Sequence, residues 1–380
     1  MARVAFADGL EVKALTHEPQ LRAALADPRF ARGVQHWKAL HEGDVDPAHP
    51  MAQMMRIENM LVMDGAEHTR MRSLVAPGFS PTVMRTLGPT VERIVDAQLA
   101  VVDNADQPVD LKADFAFPVT AGVLSALLGL DLERMPDVPE LIRGSMSGTG
   151  EATTDQVRQA IAAVVAHKRQ EPDEYIVSTL IAARDENGAT LSDSELVDTV
   201  MLLVSAGYET TMGALLNITR ALLTHAESRA ALRRGELTWP QVISEGLRYD
   251  GPVNVLSWLF ATEDIHYPDG SLIASGEAVL MCYLAANRCP ARYGHTAPMF
   301  TPEREHSPSL AFGHGPHVCL GRPLARLELE TALPRLFERF PDLHLAEAPM
   351  LPEASVVMNQ PQHLMAHTHA SATPHSGVGR

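Results

Sequence analysis

Cysteine is scarce in this chain: three residues in 380, Cys282, Cys289 and Cys319. So few, so irregularly spaced, they exclude a disulfide framework, and without a Cys-x-x-Cys pair a structural zinc site is not expected. Aromatic residues are also few, 5% against 46% hydrophobic residues in all. The core must therefore be aliphatic, built from Ala, Leu, Val and Met, residues that lose little freedom in a helix. Positive charge is in deficit: 31 Lys and Arg stand against 47 Asp and Glu, a formal charge of -16. No overall electrostatic footprint for nucleic acid exists, although a local basic patch remains able to dock an acidic protein. No run of about 18 uncharged apolar residues occurs, and Met1 to Glu11 carries no basic stretch leading into an apolar one. The chain is accordingly expected to be soluble and cytoplasmic, with no membrane and no nucleic acid among its partners. A Gly-x-Gly-x-x-Gly turn after a strand, an iron–sulfur cysteine set, internal repeats and long Gly/Ser linkers are all missing.

Helical spacing dominates what is present. A short helix is expected around Leu21–Leu25, then an irregular Met- and His-rich stretch from Gln35 to Asn59 with one short helix at most. Apolar residues three or four apart predict helices over His68–Ala76, Pro81–Val102, Pro118–Leu128, Thr154–Arg169 and Glu174–Arg184. Ser192 with Glu195 three residues on is a capping-box signature, opening a helix that runs to about His225, about 50 Å long. Strand-like runs follow only after Pro252, at Val253–Thr262, Leu272–Ile273 and Ala278–Tyr283, separated by Pro-Asp-Gly and Ser-Gly turns. The fold class is therefore mainly α with small β-sheets, one domain over residues 1–365 and a disordered tail from Ala366 to Arg380.

The most informative stretch runs from Phe312 to Gly321, Phe-Gly-His-Gly-Pro-His-Val-Cys-Leu-Gly. Three glycines and a proline in ten residues demand a tight loop, which then feeds a helix with Pro323 in its first turn. A cysteine just before a helix N-terminus sits in positive partial charge, which lowers its pKa and favours the metal-binding thiolate. A structural cysteine in a glycine turn is the plainer alternative, whereas a P-loop is excluded because no Gly-Lys-[Ser/Thr] follows.

At every specified position this stretch resembles the haem-binding loop of the bacterial soluble cytochrome P450 family. The resemblance implies the P450 fold, an α-rich prism with haem b between the long central helix and the helix after the cysteine loop. It implies Cys319 as the iron ligand, with Phe312, His317 and Gly321 at the cofactor. Ala206-Gly207-Tyr208-Glu209-Thr210-Thr211 is similar to the family's oxygen-binding groove. Alone, that stretch would pass for a packing glycine with polar neighbours. By resemblance, Thr210 would hydrogen-bond dioxygen and Glu209 would relay protons through water, the two catalytic residues. Glu245 and Arg248, spaced i and i+3, match the family's Glu-x-x-Arg helix, and Arg304 would complete a structural clamp. Such pairs are also common on solvated helix faces. His68-Thr69-Arg70-Met71-Arg72 is similar to the family's His-Thr-x-x-Arg helix, placing His68 and Arg72 on one face suited to a haem propionate.

Two positions depart from the family pattern. Leu259 stands where an arginine usually serves a propionate, and Cys289 where an aspartate usually caps the following turn. The resemblance also implies a substrate pocket, lined by Met63, Leu203, Val204, Ala206, Val253, Asn254 and Val255, with the turn at Asn359-Gln360-Pro361 nearby. These residues are mostly aliphatic, so an apolar or amphipathic organic substrate is expected. Met51, Met54, Met55, Met60 and Met63 are either an adaptable wall or core filler. Helices near 138–147 and 154–169 flank Gly148-Thr149-Gly150, a candidate lid. The expected activity is that of a haem-thiolate monooxygenase using O2 to hydroxylate, epoxidise or couple its substrate, in secondary metabolism. A peroxide-driven peroxygenase and a non-catalytic haem sensor are the alternatives; the Glu209–Thr210 pair and an electron-donating thiolate weigh against them. With no flavin or iron–sulfur motif, electrons must come from a separate ferredoxin or flavodoxin and its reductase, docking near Arg70, Arg85, Arg322 and Arg326.

Overall fold

The computed structural model describes residues 1–6, 9–49, 52, 59–130, 154–256, 258–304 and 308–369. Seven helices of ten or more residues run through this part: α1 (Gly65–Val75), α2 (Pro81–Asp103), α3 (Phe117–Leu128), α4 (Thr154–Gln170), α5 (Asp193–Thr224), α6 (Trp239–Tyr249) and α7 (Arg322–Arg339). The helices expected from His68, Pro81, Pro118, Thr154 and Ser192 are present with ends shifted by a few residues, and the one expected over Glu174–Arg184 is shorter, Ile176–Ala182. The capping box at α5 is complete: the Glu195 amide donates to the Ser192 hydroxyl and the Ser192 amide to the Glu195 carboxylate.

Helix α5 is the axis of the larger core, with α2, α3, α4, α6 and α7 packed around it or against one another. Its buried residues fall between Leu196 and Val204 and again between Tyr208 and Leu222, with Glu209 and Thr210 only half-buried. It is long and apolar enough to cross a membrane by composition, yet 61% of its apolar window is already buried against protein. The core is aliphatic, as composition requires, with Val91, Val95, Val119, Val123, Leu128 and Ile218 inaccessible or nearly so.

The sheets depart from expectation at both ends of the chain. Five strands, β1 (Ala2–Ala5), β2 (Glu11–Leu15), β3 (Phe30–Ala31), β5 (Trp258–Ala261) and β8 (Ala278–Met281), form a sheet in the order β1-β2-β8-β5-β3. The three N-terminal strands escaped sequence analysis because each is short, and β2 is fixed by parallel pairing with β8, far along the chain. A three-stranded sheet, β4 (Val109–Asp110), β10 (Met365–His367) and β9 (His344–Leu345), corrects the expected tail. Ala366 pairs with Val109 and Leu345 and is fully buried, so order extends through His369. A two-stranded ribbon joins β6 (Ile265–His266) to β7 (Leu272–Ile273). The candidate lid at 138–150 and Met51, Met54 and Met55 lie outside the described residues; Met60 and Met63 pack on the main core.

Candidate active site

Cys319 lies between a tight turn at Gly315–His317 and α7, whose N-cap is Gly321. The loop reverses through Gly313 and Gly315, at φ 73° and 71°, where a residue with a Cβ is strained. The Cys319 amide donates to the Phe312 carbonyl at 2.8 Å, and the Gly313 amide to the Leu310 carbonyl at 2.9 Å. Cys319 retains accessible surface, and the amides of Gly321 and Arg322 donate to its sulfur. The Arg322 guanidinium lies over the Phe312 ring, 5.8 Å from its centroid. The direction of the thiol pKa corrects the sequence-based expectation. Burial pushes it up, and the two amides with the Arg72 and Arg322 cations offset this only in part.

Helix α1 brings further donors to the same loop. Arg72 Nη2 donates to the Val318 carbonyl at 2.7 Å. The His68 and His317 rings lie 4.0 Å apart, and His317 Nε2 is 3.7 Å from Asp64 Oδ1 at the α1 N-cap. Burial, then the charges of His317, Arg72 and Arg32, push His68 down to about 4. Its Nε2 is buried without a hydrogen-bond partner. Burial also pushes His317 down, opposed by its bond to Asp64. His68 and Arg72 of α1 are thus gathered against the loop that carries His317 and Cys319. An unpartnered buried imidazole nitrogen, a guanidinium and a thiol together fit a ligand with carboxylates at one edge and a metal at its centre, which is the chemistry of haem. Arg32, which no sequence motif marks, is 3% exposed, and its charge acts on both histidines.

On α5 the burial pattern breaks where the sequence analysis placed the oxygen groove. Ser205 and Ala206 are exposed, although Leu203, Val204 and Tyr208 around them are buried. Thr210 Oγ1 donates to the Ala206 carbonyl at 2.8 Å, the back-bond that loosens a helical turn. Glu209 accepts from Gln360 Nε2 at 3.3 Å; Gln360 also donates to Glu353 at 2.8 Å, and Lys112 pairs with Glu353 at 2.6 Å. Burial, with the neighbouring Glu353 charge second, raises Glu209 to about 7. Lys112 and Glu353 gave no sequence signal, since they meet Glu209 only through the fold.

The clamp is assembled in full. Arg248 is 2% exposed and Glu245 5%. Arg248 donates to both Glu245 oxygens at 2.7 Å and to the carbonyls of Asn287, Ala297 and Met299. Arg304 Nε lies 3.5 Å from Glu245 Oε2. Asn287 Oδ1 in turn accepts the Leu310 amide at 2.7 Å, tying the clamp to the cysteine loop. Cys289 provides no side-chain cap to the helix Pro290–Tyr293.

The expected pocket residues divide. Met63, Val253, Asn254 and Ala206 keep accessible surface, and Leu203 keeps a little. Val204 packs into the main core and Val255 into the cluster around Trp37 and Trp258, which leaves them little surface for a ligand. Of the expected docking arginines, Arg85 and Arg322 are exposed, Arg326 pairs with Glu330, and Arg70 pairs with Glu195 at the start of α5.

The family model for Cytochrome P450 matches residues 239–366, which hold the clamp and the cysteine loop. Over 356 residues the chain is 34% identical to 2-hydroxy-5-methyl-1-naphthoate 7-hydroxylase of Streptomyces carzinostaticus, covering 91% of this chain and 86% of that one. It is 35% identical over 348 residues to Vitamin D(3) 25-hydroxylase of Pseudonocardia autotrophica, covering 90% and 84%. Among solved structures, CYP154C4 from Streptomyces sp. W2061 superposes with a TM-score of 0.90 at 35% identity, covering 97% of this chain and 92% of that one.

Proposed function

Because this chain belongs to the cytochrome P450 family, and is thereby a haem-dependent monooxygenase, we propose that it oxidises a small apolar or amphipathic molecule in secondary metabolism, with Cys319 as the thiolate ligand of haem b. When bound, haem supplies the iron at which dioxygen is reduced and split, one atom entering the substrate and the other leaving as water. Two electrons and two protons are needed for that balance. In this reading a separate ferredoxin or flavodoxin with its reductase brings the electrons, docking where Arg85 and Arg322 are exposed in the cytoplasm. Among the matched proteins, PksS of Bacillus subtilis is named for polyketide biosynthesis and the LnmA hydroxylase of Streptomyces atroolivaceus for the leinamycin biosynthetic pathway. In this reading one domain, running through His369, holds the site residues.

The chain's own residues are left to place the substrate and handle protons. Met63, Leu203, Ala206, Val253 and Asn254 offer mainly apolar surface to the substrate, and Val204 and Val255 support them from behind. Thr210 holds a hydroxyl on the loosened turn of α5. Glu209, raised to about 7, can both take and release a proton near neutrality. The clamp of Glu245, Arg248 and Arg304 fixes the loop that carries Cys319, Gly321 and Phe312. His68, Arg72 and His317 offer donors for the haem propionates.

The observation that carries this reading is the exposed stretch Ser205–Ala206 of α5, with the titratable Glu209 carboxyl beside a Thr210 hydroxyl that bonds back to the Ala206 carbonyl. It is tested with Thr210→Ala, a bound substrate found by spectral-shift screening, and a surrogate ferredoxin–reductase pair. Electron consumption should continue while product falls and hydrogen peroxide rises. Unchanged coupling would leave Thr210 as a packing residue.

A further inference from the structure

The position of Leu259 leaves one haem carboxylate without the arginine its family usually supplies. The sheet register shows what stands opposite. Strand β3 pairs with β5 antiparallel, Phe30 with Ala261 and Ala31 with Phe260. Continued by one residue, the register sets Arg32 across from Leu259. Directly opposed residues of an antiparallel pair project from the same face. Their side-chain surroundings agree. Leu259 packs in a cluster that includes Met281 and Tyr283. Arg32 Nη2 reaches Met281 Sδ at 4.0 Å, and its guanidinium hydrogen-bonds Tyr283.

Arg32 also belongs to the gathering at the cysteine loop. Its amide donates to Asp64 Oδ2 at 2.6 Å, and Asp64 Oδ1 faces His317. Its charge reaches His68 and His317, the pair whose rings lie 4.0 Å apart. At 3% exposure the guanidinium is held inside the protein, where a planar fork of donors suits a carboxylate. His68 Nε2, buried without a partner, marks the same recess as one built for an acceptor from outside the chain.

We propose that Arg32 replaces the missing arginine, gripping a haem propionate from the neighbouring strand alongside His68, Arg72 and His317. The inference rests on the reading of Cys319 as the haem ligand. It makes the cofactor's grip a property of the β3–β5 pair, with the cation at the end of β3 and the aliphatic Leu259 on β5.

The test follows haem transfer from the ferric holoenzyme to excess apomyoglobin, a readout independent of turnover. Arg32→Gln should speed haem loss by roughly ten- to a hundredfold, the worth of one charge-assisted bond, and Arg32→Lys by less. The exchange variant Arg32→Leu with Leu259→Arg should recover most of the loss by returning the cation to the other strand. Protein reconstituted with haem dimethyl ester, which has no carboxylate to grip, should show no difference between wild type and Arg32→Gln. Unchanged haem loss in Arg32→Gln, or equal acceleration for haem and its ester, would overturn the proposal. If Arg32→Gln does not fold, the Lys and exchange variants carry the same comparison, and an exchange variant that loses haem no more slowly than Arg32→Lys counts against it. The reduced carbon-monoxide spectrum separates the two levels of inference. A wild type without the red-shifted thiolate band defeats the Cys319 reading, whereas a retained band with unchanged haem loss defeats only Arg32.

Discussion

Replacing Gly315 with alanine should damage the cysteine loop far more than the same change at Gly313, although both glycines sit at nearly the same φ. A Cβ at Gly315 would lie 2.4 Å from the Leu25 carbonyl oxygen and 3.1 Å from its carbon. These are backbone atoms, at the end of the helix Glu18–Ala24, and cannot rotate away. A Cβ at Gly313 meets nothing nearer than the His317 carbonyl oxygen at 3.7 Å, an ordinary contact. Both variants carry the left-handed cost of about 1–2 kcal/mol, part of which is returned by a stiffer unfolded chain. Only Gly315→Ala adds an overpacking cost of about 1–3 kcal/mol. The expected losses are therefore about 1 kcal/mol for Gly313→Ala and about 2–4 kcal/mol for Gly315→Ala. At about 2.1 cal/mol/K per residue, 1 kcal/mol moves the melting point of so long a chain by little more than 1 °C. Denaturant titration of the holoenzyme, followed by helical circular dichroism and by the haem spectrum, is the more sensitive assay. Equal losses in the two variants would refute the argument that Leu25 braces the loop.

The carboxyl of Glu209 makes a second prediction. Its pKa is raised from 4.5 to about 7, so between those values the folded chain holds a proton that the unfolded chain has lost. Stability from this group is full below pH about 4.5 and is lost as pH rises through about 7, by at most about 3 kcal/mol and less for the water reaching a half-buried side chain. Glu209→Gln should remove that slope from the pH dependence of unfolding; an unchanged slope would assign it elsewhere. Glu353→Gln, removing a neighbouring negative charge, should move the Glu209 titration acidward, and Lys112→Met should move it the other way, read in the pH profile of coupled turnover. Shifts of the same sign in both variants would contradict the placement of those charges. At the clamp, Glu245→Gln leaves Arg248 buried with an unbalanced charge and should cost about 3–5 kcal/mol, with haem loss accelerated through Asn287 and Leu310. A variant as stable as the wild type would show the clamp to be dispensable.

What the sequence made legible was local. The capping box at Ser192, the glycine loop around Cys319 and the Glu245–Arg248 spacing each express a few neighbouring residues, and each was found where it was expected. The parts that stayed hidden depend on contacts between distant segments. Strand β2 exists because β8 lies beside it, and Ala366 is a strand residue because Val109 and Leu345 flank it. Lys112 and Glu353 reach Glu209 only once the chain has closed. Arg32 acquires meaning from a register that, continued by one residue, sets it opposite Leu259, and no helical or strand period announces it. The thiol shows the same limit: the helix terminus is readable in the sequence, whereas the burial that raises the thiol is not.

The central claim is that Cys319 supplies the thiolate to haem, and one spectrum addresses it directly. Reduced protein exposed to carbon monoxide should give the red-shifted thiolate Soret band, and Cys319→Ala should abolish it while the fold persists by circular dichroism. An unshifted band in the wild type, or a red-shifted one surviving in Cys319→Ala, would contradict the account.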